Sequence, residues 1–515
     1  MDVRPSRFAD RLGAEIVGRK SAAVRKAGGL YLTPVEVSDF IACQANTGAS
    51  EIRILDPAAG SGTLLCSVVE RFATCQSAVR RVELTAYETD PDLQEGLAAV
   101  LDNLKHWAAE HQVEVGIRVE PQDFVLAHAR SLGSNGHLFD TQSNEPFDLV
   151  VANPPYFKIS KDDPRAQAAM TVVHGQPNIY ALFMAATAAL LRKGGQFLFI
   201  TPRSFASGPY FRLFREKFFA NVRPVGVHVF GSRREAFGRD EVLQESIILK
   251  GVRDYGWQHS KERFELDISG SSGIDDLSDP TRRILLLSDA LDMASNAKIF
   301  RLPILPDEDA ALRLVDSWTG SLHRYEMNIS TGPVVPFRAT EFLDKVGTPS
   351  EDYAPLIWMN HVLAMQLTFP IETRKPQYIS LRASGKSLLL PNRNYVLLRR
   401  FSAKEEARRL VAAPWLKSNL PGSLLGIENH LNYIYCMRDE MSEDEAVGLA
   451  ALLNTELLDT YFRVSSGNTQ VSATELRAMP LPPREMIVSI GQRVGKQTGG
   501  ESLDEIVRYV VGAAR

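Results

Sequence analysis

Four short apolar runs in the first third of the chain each stop on a single polar residue, and this repeat limits the possible folds more than any other feature. Residues 52–55 close on Asp56, 82–87 on Glu88, a run around 117–119 leads to Asp123, and 147–152 close on Asn153. Runs this short and apolar, separated by helix-length segments, read as strands buried on both faces of a parallel sheet. The four polar residues then share one sheet edge and face one crevice, the place where open α/β sheets bind ligands.

The turn after each strand specifies what that crevice can hold. Asp56 is followed by Pro57-Ala58-Ala59-Gly60-Ser61-Gly62 and a helix from about Thr63 to Phe72. Small residues let backbone approach a ligand, and a helix amino end offers unpaired N–H groups. The third glycine of a dinucleotide fingerprint is missing, and an acid precedes the loop. Such an acid repels a pyrophosphate and attracts an ammonium, which favours S-adenosyl-L-methionine over a nicotinamide dinucleotide. Asp56, Ala58, Gly60 and Gly62 are therefore candidate cofactor residues, whereas Thr33-Pro34 taken alone is only a helix start. Glu88 is placed to accept ribose hydroxyl hydrogens. Asp123 would accept the cofactor's adenine amine, with Phe124 against its ring; plain turn acids would look the same.

The fourth strand stops at Asn153-Pro154-Pro155-Tyr156. Consecutive prolines neither donate to a ladder nor enter a helix, so the chain leaves the sheet as a stiff extended turn. An exocyclic amine of a nucleobase is a poor nucleophile until acceptors on its hydrogens favour the charge-bearing geometry. The Asn153 side-chain oxygen and the Pro154 carbonyl are candidate acceptors, and Tyr156 a stacking face for a base taken out of a duplex. A turn that only shapes a loop would also use these prolines.

Further along, 178–191 reads as a helix, 196–200, 225–230 and 246–249 as strands, and the segment from 161 onward as a mobile substrate lid. Residues 1–253 form the expected catalytic domain. Residues 254–285, rich in Gly, Ser and Asp, read as a connection, and 286–515, without strand–helix alternation, as a separate domain. Between Thr373 and Arg409 there are ten Lys/Arg against two acids, with Tyr378, Tyr395 and Phe401 interleaved, in a chain of net charge −4. A local basic strip on an acidic protein is the footprint of phosphate-backbone contact, with Arg374, Lys375, Arg382 and Arg393 as its candidates. Asn468 and Gln470, in a polar loop, can read an adenine edge or form an ordinary turn. Cys43, Cys66, Cys75 and Cys436 show no CxxC spacing, so neither a zinc site nor a disulfide framework is indicated. No run approaches the ~20 apolar residues of a membrane span and no signal-peptide pattern opens the chain, so a cytoplasmic location is the default.

Taken in order, Thr33-Pro34, the Asp56–Gly62 loop, Glu88, Asp123 and Asn153-Pro154-Pro155-Tyr156, with a separate carboxyl-terminal half, resemble the gamma class of adenine-N6 DNA methyltransferases of restriction-modification systems. Arg399-Arg400-Phe401-Ser402 and Gly467-Asn468-Thr469-Gln470 look like pieces of that family's target-recognition domains. The resemblance implies a Rossmann-like class I S-adenosylmethionine-dependent methyltransferase domain plus a mixed α/β recognition domain. It implies double-stranded DNA as substrate, a flipped adenine, no metal, and a cognate restriction endonuclease as a separate protein. Thr33 and Pro34 would enclose the methionine end of the cofactor, and Phe237 would be a second stacking ring. Three other readings stay open: N4-cytosine methylation, which needs the same amine chemistry; protein glutamine methylation, whose enzymes are small; and a non-catalytic DNA-binding subunit.

Overall fold

The computed structural model describes residues 3–75, 77–132, 146–173, 177–231, 246–344, 352–402, 406–420, 422–466, 470–496 and 501–512. The chain divides into two compact units, Met1–Ile304 and Leu305–Arg515.

The first unit is built on nine strands: β1 Glu51–Asp56, β2 Arg81–Tyr87, β3 Glu114–Glu120, β4 Phe147–Ala152, β5 Leu191–Pro202, β6 Val222–Phe230, β7 Ser246–Arg253, β8 Glu265–Ser271 and β9 Thr281–Leu286. They lie in the order β3-β2-β1-β4-β5-β7-β6-β8-β9. Strands β1 to β5 run parallel, and β7 inserts antiparallel between β5 and β6. This is the order of a Rossmann-like class I methyltransferase sheet. Chain order reverses between β1 and β4, which opens a crevice outside their carboxyl ends.

Both faces of the sheet are covered because side chains alternate along each strand. Val150, Phe197 and Phe199 enter one buried cluster with the helix Ile179–Leu190. Leu149, Val151, Leu198 and Ile200 enter the other, with Leu65, Val68, Leu97 and Leu101 from helices Thr63–Thr74 and Pro91–Glu110. The helix Pro5–Gly18 packs on the second face, and Arg4 ahead of it is held by Glu70 at 2.8 Å.

The expected connection at 254–285 is corrected. β8 pairs with β6 and β9 with β8, so the first unit runs to Ile304. The alternation Glu265-Leu266-Asp267-Ile268 buries Leu266 and Ile268 completely. Turn-forming residues around it outweighed a period of two only four residues long. The segment after 161 is also more ordered than a lid: Pro164–Ala168 is helical, and Ala166, Ala169, Val172 and Val173 are buried in the core.

The second unit is mixed α/β. A four-stranded antiparallel sheet runs in the order Met327–Thr331, Leu431–Cys436, Tyr395–Arg399, Ala412–Trp415. Helices Glu443–Leu453 and Arg484–Gly495 cross at Gly448 and Gly491, where an added Cβ would lie 1.8 Å from a facing backbone carbonyl oxygen. Among the described residues no helix is long and apolar enough to cross a membrane.

Candidate active site

The loop after β1 forms one wall of the crevice. Gly60 and Gly62 take φ of 56° and 83°, a left-handed conformation that a side chain disfavours. A Cβ at Gly60 would also come within 2.8 Å of Leu32 Cδ2, so the backbone lies close to the 30–34 segment. Asp56 is 1% exposed, and its Oδ1 accepts the Ala58 N–H at 3.0 Å. Burial, helped by the nearby Glu88, pushes its carboxyl up to about 7. Glu88 accepts N–H bonds from Gly60 at 2.9 Å, Thr89 at 2.7 Å and Asp90 at 2.8 Å. Burial raises its pKa against the effect of these donors. Glu88 therefore clamps the glycine loop from behind.

The opposite wall is Asn153. Its Nδ2 donates to the Tyr31 carbonyl at 2.8 Å and to Thr33 Oγ1 at 3.0 Å. The Tyr31 carbonyl can only accept, so the amide is fixed with nitrogen toward the 31–33 segment. Asn153 Oδ1 accepts from the Tyr156 hydroxyl, which also lies 3.0 Å from the Ile200 carbonyl. Between the walls is a cleft partly open to solvent. Thr33, Asp56, Ala58, Gly60 and Asn153 all line it, with Tyr31 and Leu32. Its glycine backbone and buried acid fit a cationic, methionine-like ligand.

Several expected residues sit elsewhere. Tyr156 is 8% exposed with its ring edge-on to Tyr180, so it presents no open stacking face in this conformation. Burial pushes its phenol far above the usual range. Phe124 is 2% exposed and packs on Tyr87 and Phe183, with ring centroids 5.1 and 5.5 Å away; it supports the core and does not line the cleft. Asp123 caps the short helix Phe124–Ala127 through the Leu126 N–H at 2.9 Å, and its other oxygen is 3.5 Å from Arg165. Its apolar followers Phe-Val-Leu make it a helix N-cap, a signal present in the sequence. Gly62 is the N-cap of helix Thr63–Thr74. Phe237 and Asn468 lie outside the described residues.

In the second unit Arg374, Lys375, Arg382 and Arg393 are exposed, and Lys375 Nζ lies 4.7 Å over the Trp358 ring. Tyr378 and Tyr395 are 7% and 3% exposed, so they belong to the core and not to a basic, aromatic strip. Gln470 Oε1 accepts from Arg400 at 3.3 Å. The residues that sequence reading missed are Tyr31 and Ile200, which act through backbone carbonyls that every residue type carries.

Residues 74–237 match the family model described as Eco57I restriction-modification methylase. The chain is 31% identical to the type II methyltransferase M.BsuBI of Bacillus subtilis over 467 residues, 90% of each chain. It is 30% identical to the type II methyltransferase M.PstI of Providencia stuartii over 490 residues, 94% of this chain and 93% of the other. A solved structure of a DrdV–DNA complex shares the fold at a TM-score of 0.51 and 11% identity, covering 95% of this chain and 59% of that one. The two full-length likenesses, on a class I sheet whose crevice fits the methyl donor, place the chain: it belongs to the type II restriction-modification DNA methyltransferases, and its cofactor is S-adenosyl-L-methionine.

Proposed function

We propose that the protein transfers a methyl group to N6 of an adenine rotated out of double-stranded DNA, and that it is a cytoplasmic modification enzyme paired with a separate restriction endonuclease. The orientation of the Asn153 amide carries this reading. Both of its hydrogens are engaged by Tyr31 and Thr33, so its oxygen is the group left for a substrate.

S-adenosyl-L-methionine supplies, when bound, a methyl group on a sulfonium leaving group. Asp56 offers an ammonium partner, Ala58, Gly60 and Gly62 the close backbone, and Glu88 a carboxylate at the end of β2. Thr33 encloses the near side. The Asn153 oxygen and the Pro154 carbonyl accept the two amine hydrogens of adenine as the nitrogen gains positive charge, the stage at which preorganised dipoles matter most. Pro155 keeps that pair stiff. The Tyr156 hydroxyl uses one acceptor position on Asn153 Oδ1, and an amide oxygen has a second for the base. Tyr156 stacks on the base only after its ring turns out of the core and its hydroxyl leaves Asn153 and Ile200, a cost that stacking worth about 1–3 kcal/mol offsets in part. Asp123 and Phe124 are left out of this site, because one caps a helix and the other fills the core. The exposed Arg374, Lys375, Arg382 and Arg393 are proposed phosphate contacts, and the second unit the recognition domain.

Nucleoside mass spectrometry of duplex DNA treated with protein and S-adenosyl-L-methionine tests the reaction. N6-methyladenine is expected. N4-methylcytosine would transfer the same amine chemistry to the other base, and modified protein with unmodified DNA would remove DNA as substrate.

A further inference from the structure

Three turns of the second unit meet at one end of its four-stranded sheet, and together they form a polar cluster that the reaction does not use. The strand Tyr395–Arg399 ends and the strand Leu431–Cys436 begins at the paired residues Arg399 and Leu431. Just beyond that pair, the Arg400 N–H donates to the His430 carbonyl at 2.9 Å, and the Arg400 carbonyl accepts from the Val471 N–H at 2.8 Å. The fully buried Asn432 donates from Nδ2 to the Val471 carbonyl at 2.9 Å, tying the third turn to the sheet. The cluster thus stands on backbone bonds between sheet ends and a sheet-anchored turn.

Its side chains are held in defined orientations. Arg400 donates to the Asn429 carbonyl at 3.1 Å and to Gln470 Oε1 at 3.3 Å, and its guanidinium lies 5.5 Å from the Phe401 ring centroid. A guanidinium has more donors than these two bonds use, so its plane is fixed while capacity for a ligand remains. Glu428, 1% exposed, accepts the His430 N–H at 3.1 Å and pairs with His430 Nδ1. A carboxylate accepts, so Nδ1 carries a proton, and Nε2 is the ring nitrogen that this pairing leaves for a ligand, on a side chain that is 48% exposed. Phe401 and His430 are 4.9 Å apart by ring centroid. Asn429 Oδ1 is buried with no partner among the described residues.

The planar fork and the groups beside it point to the ligand class. The Gln470 oxygen is taken by Arg400, which turns its amide N–H groups outward, so a guanidinium, an amide and an imidazole stand side by side as three polar groups of different shape. Base edges in the major groove carry both donors and acceptors, and a fixed guanidinium pairs bidentately with guanine O6 and N7. We propose that Arg400, flanked by His430 and Gln470, reads base edges of duplex DNA, with Arg400 taking a guanine. The inference rests on DNA being the substrate and adds the side chains that choose the sequence.

Selection from a randomised duplex library by the full-length protein, its Arg400→Ala and Arg400→Lys variants and His430→Ala tests it without relying on methylation. The parent should enrich a defined sequence. Both Arg400 variants should lose preference at one G·C pair by roughly 5- to 150-fold, the usual value of one bidentate contact, while the other positions persist. Lysine keeps the charge but not the fork. Recovery of parental preference in Arg400→Lys would therefore mark a phosphate contact and overturn the proposal, as would equal weakening on all sequences. Should Arg400→Ala fail to fold, as judged by thermal unfolding, the lysine variant and an altered preference in His430→Ala decide. A parent that enriches no sequence also overturns it. A parent that keeps its sequence preference but makes no N6-methyladenine overturns only the proposed reaction.

Discussion

Replacing Thr33 with valine separates two roles that the same residue could have in this cleft. Thr33 is 6% exposed, and its Oγ1 accepts one of the two Asn153 amide hydrogens at 3.0 Å, while the Tyr31 carbonyl takes the other at 2.8 Å. Valine has nearly the same shape and removes only the acceptor. The net worth of such a bond is about 1 kcal/mol, and the amide hydrogen left behind costs somewhat more if it stays dry. The Tyr31 carbonyl still holds the amide, so the orientation is weakened and not reversed. If Asn153 acts chiefly as the adenine amine gains charge, about 1–1.5 kcal/mol should appear in the barrier, a rate loss of roughly 5- to 13-fold. Single-turnover methylation at saturating cofactor measures that loss, and calorimetry with S-adenosyl-L-methionine alone should give a Kd close to the parent's. Tenfold weaker cofactor binding with an unchanged single-turnover rate would refute the positioning role and make Thr33 a cofactor contact.

Tyr156→Phe keeps the ring but removes the hydroxyl shared between Asn153 Oδ1 and the buried Ile200 carbonyl, so unfolding should become easier by about 1–3 kcal/mol while methylation stays near the parent rate; a rate loss equal to that of Tyr156→Ala would mean the hydroxyl, not the ring, matters. Asp56 should release a proton when the cationic cofactor binds between about pH 6 and 7, seen by calorimetry in buffers of different ionisation heat, and no release would separate Asp56 from the ammonium. The sign for stability is opposite to that of a salt-bridged acid: folding raises this carboxyl from an ordinary value of about 3.9, so its contribution is fully present below about pH 4 and is lost as pH rises through about 7. Replacing Arg374, Lys375, Arg382 and Arg393 with alanine should weaken binding to all duplexes and flatten its salt dependence by roughly one unit per contact; the parental slope would return them to ordinary surface.

The strand ends were legible because a parallel sheet buried on both faces leaves an abrupt hydropathy edge, and Asp56, Glu88 and Asn153 mark three of them. The destinations of the rings were not. Phe124 and Tyr156 follow polar strand-end or turn residues just as a ligand-facing ring would, yet one packs on Phe183 and the other on Tyr180, since apolar area is buried wherever a neighbour offers it. Asp123 shares the sequence logic of Glu88 but is drawn into helix capping by the residues after it. The least legible part of the site is also the part on which the proposed chemistry depends. Asn153 is oriented by one side chain, Thr33, and one carbonyl, Tyr31, and a carbonyl has no residue-type signature. Substitution therefore sees the two partners differently. Tyr31→Ala leaves its carbonyl in place and should spare the amide's orientation, whereas Thr33→Val removes the acceptor itself. A single-turnover rate that falls for Thr33→Val and not for Tyr31→Ala is what an orienting network of this composition requires, and equal losses would trace the effect to the packing of the 31–33 segment instead.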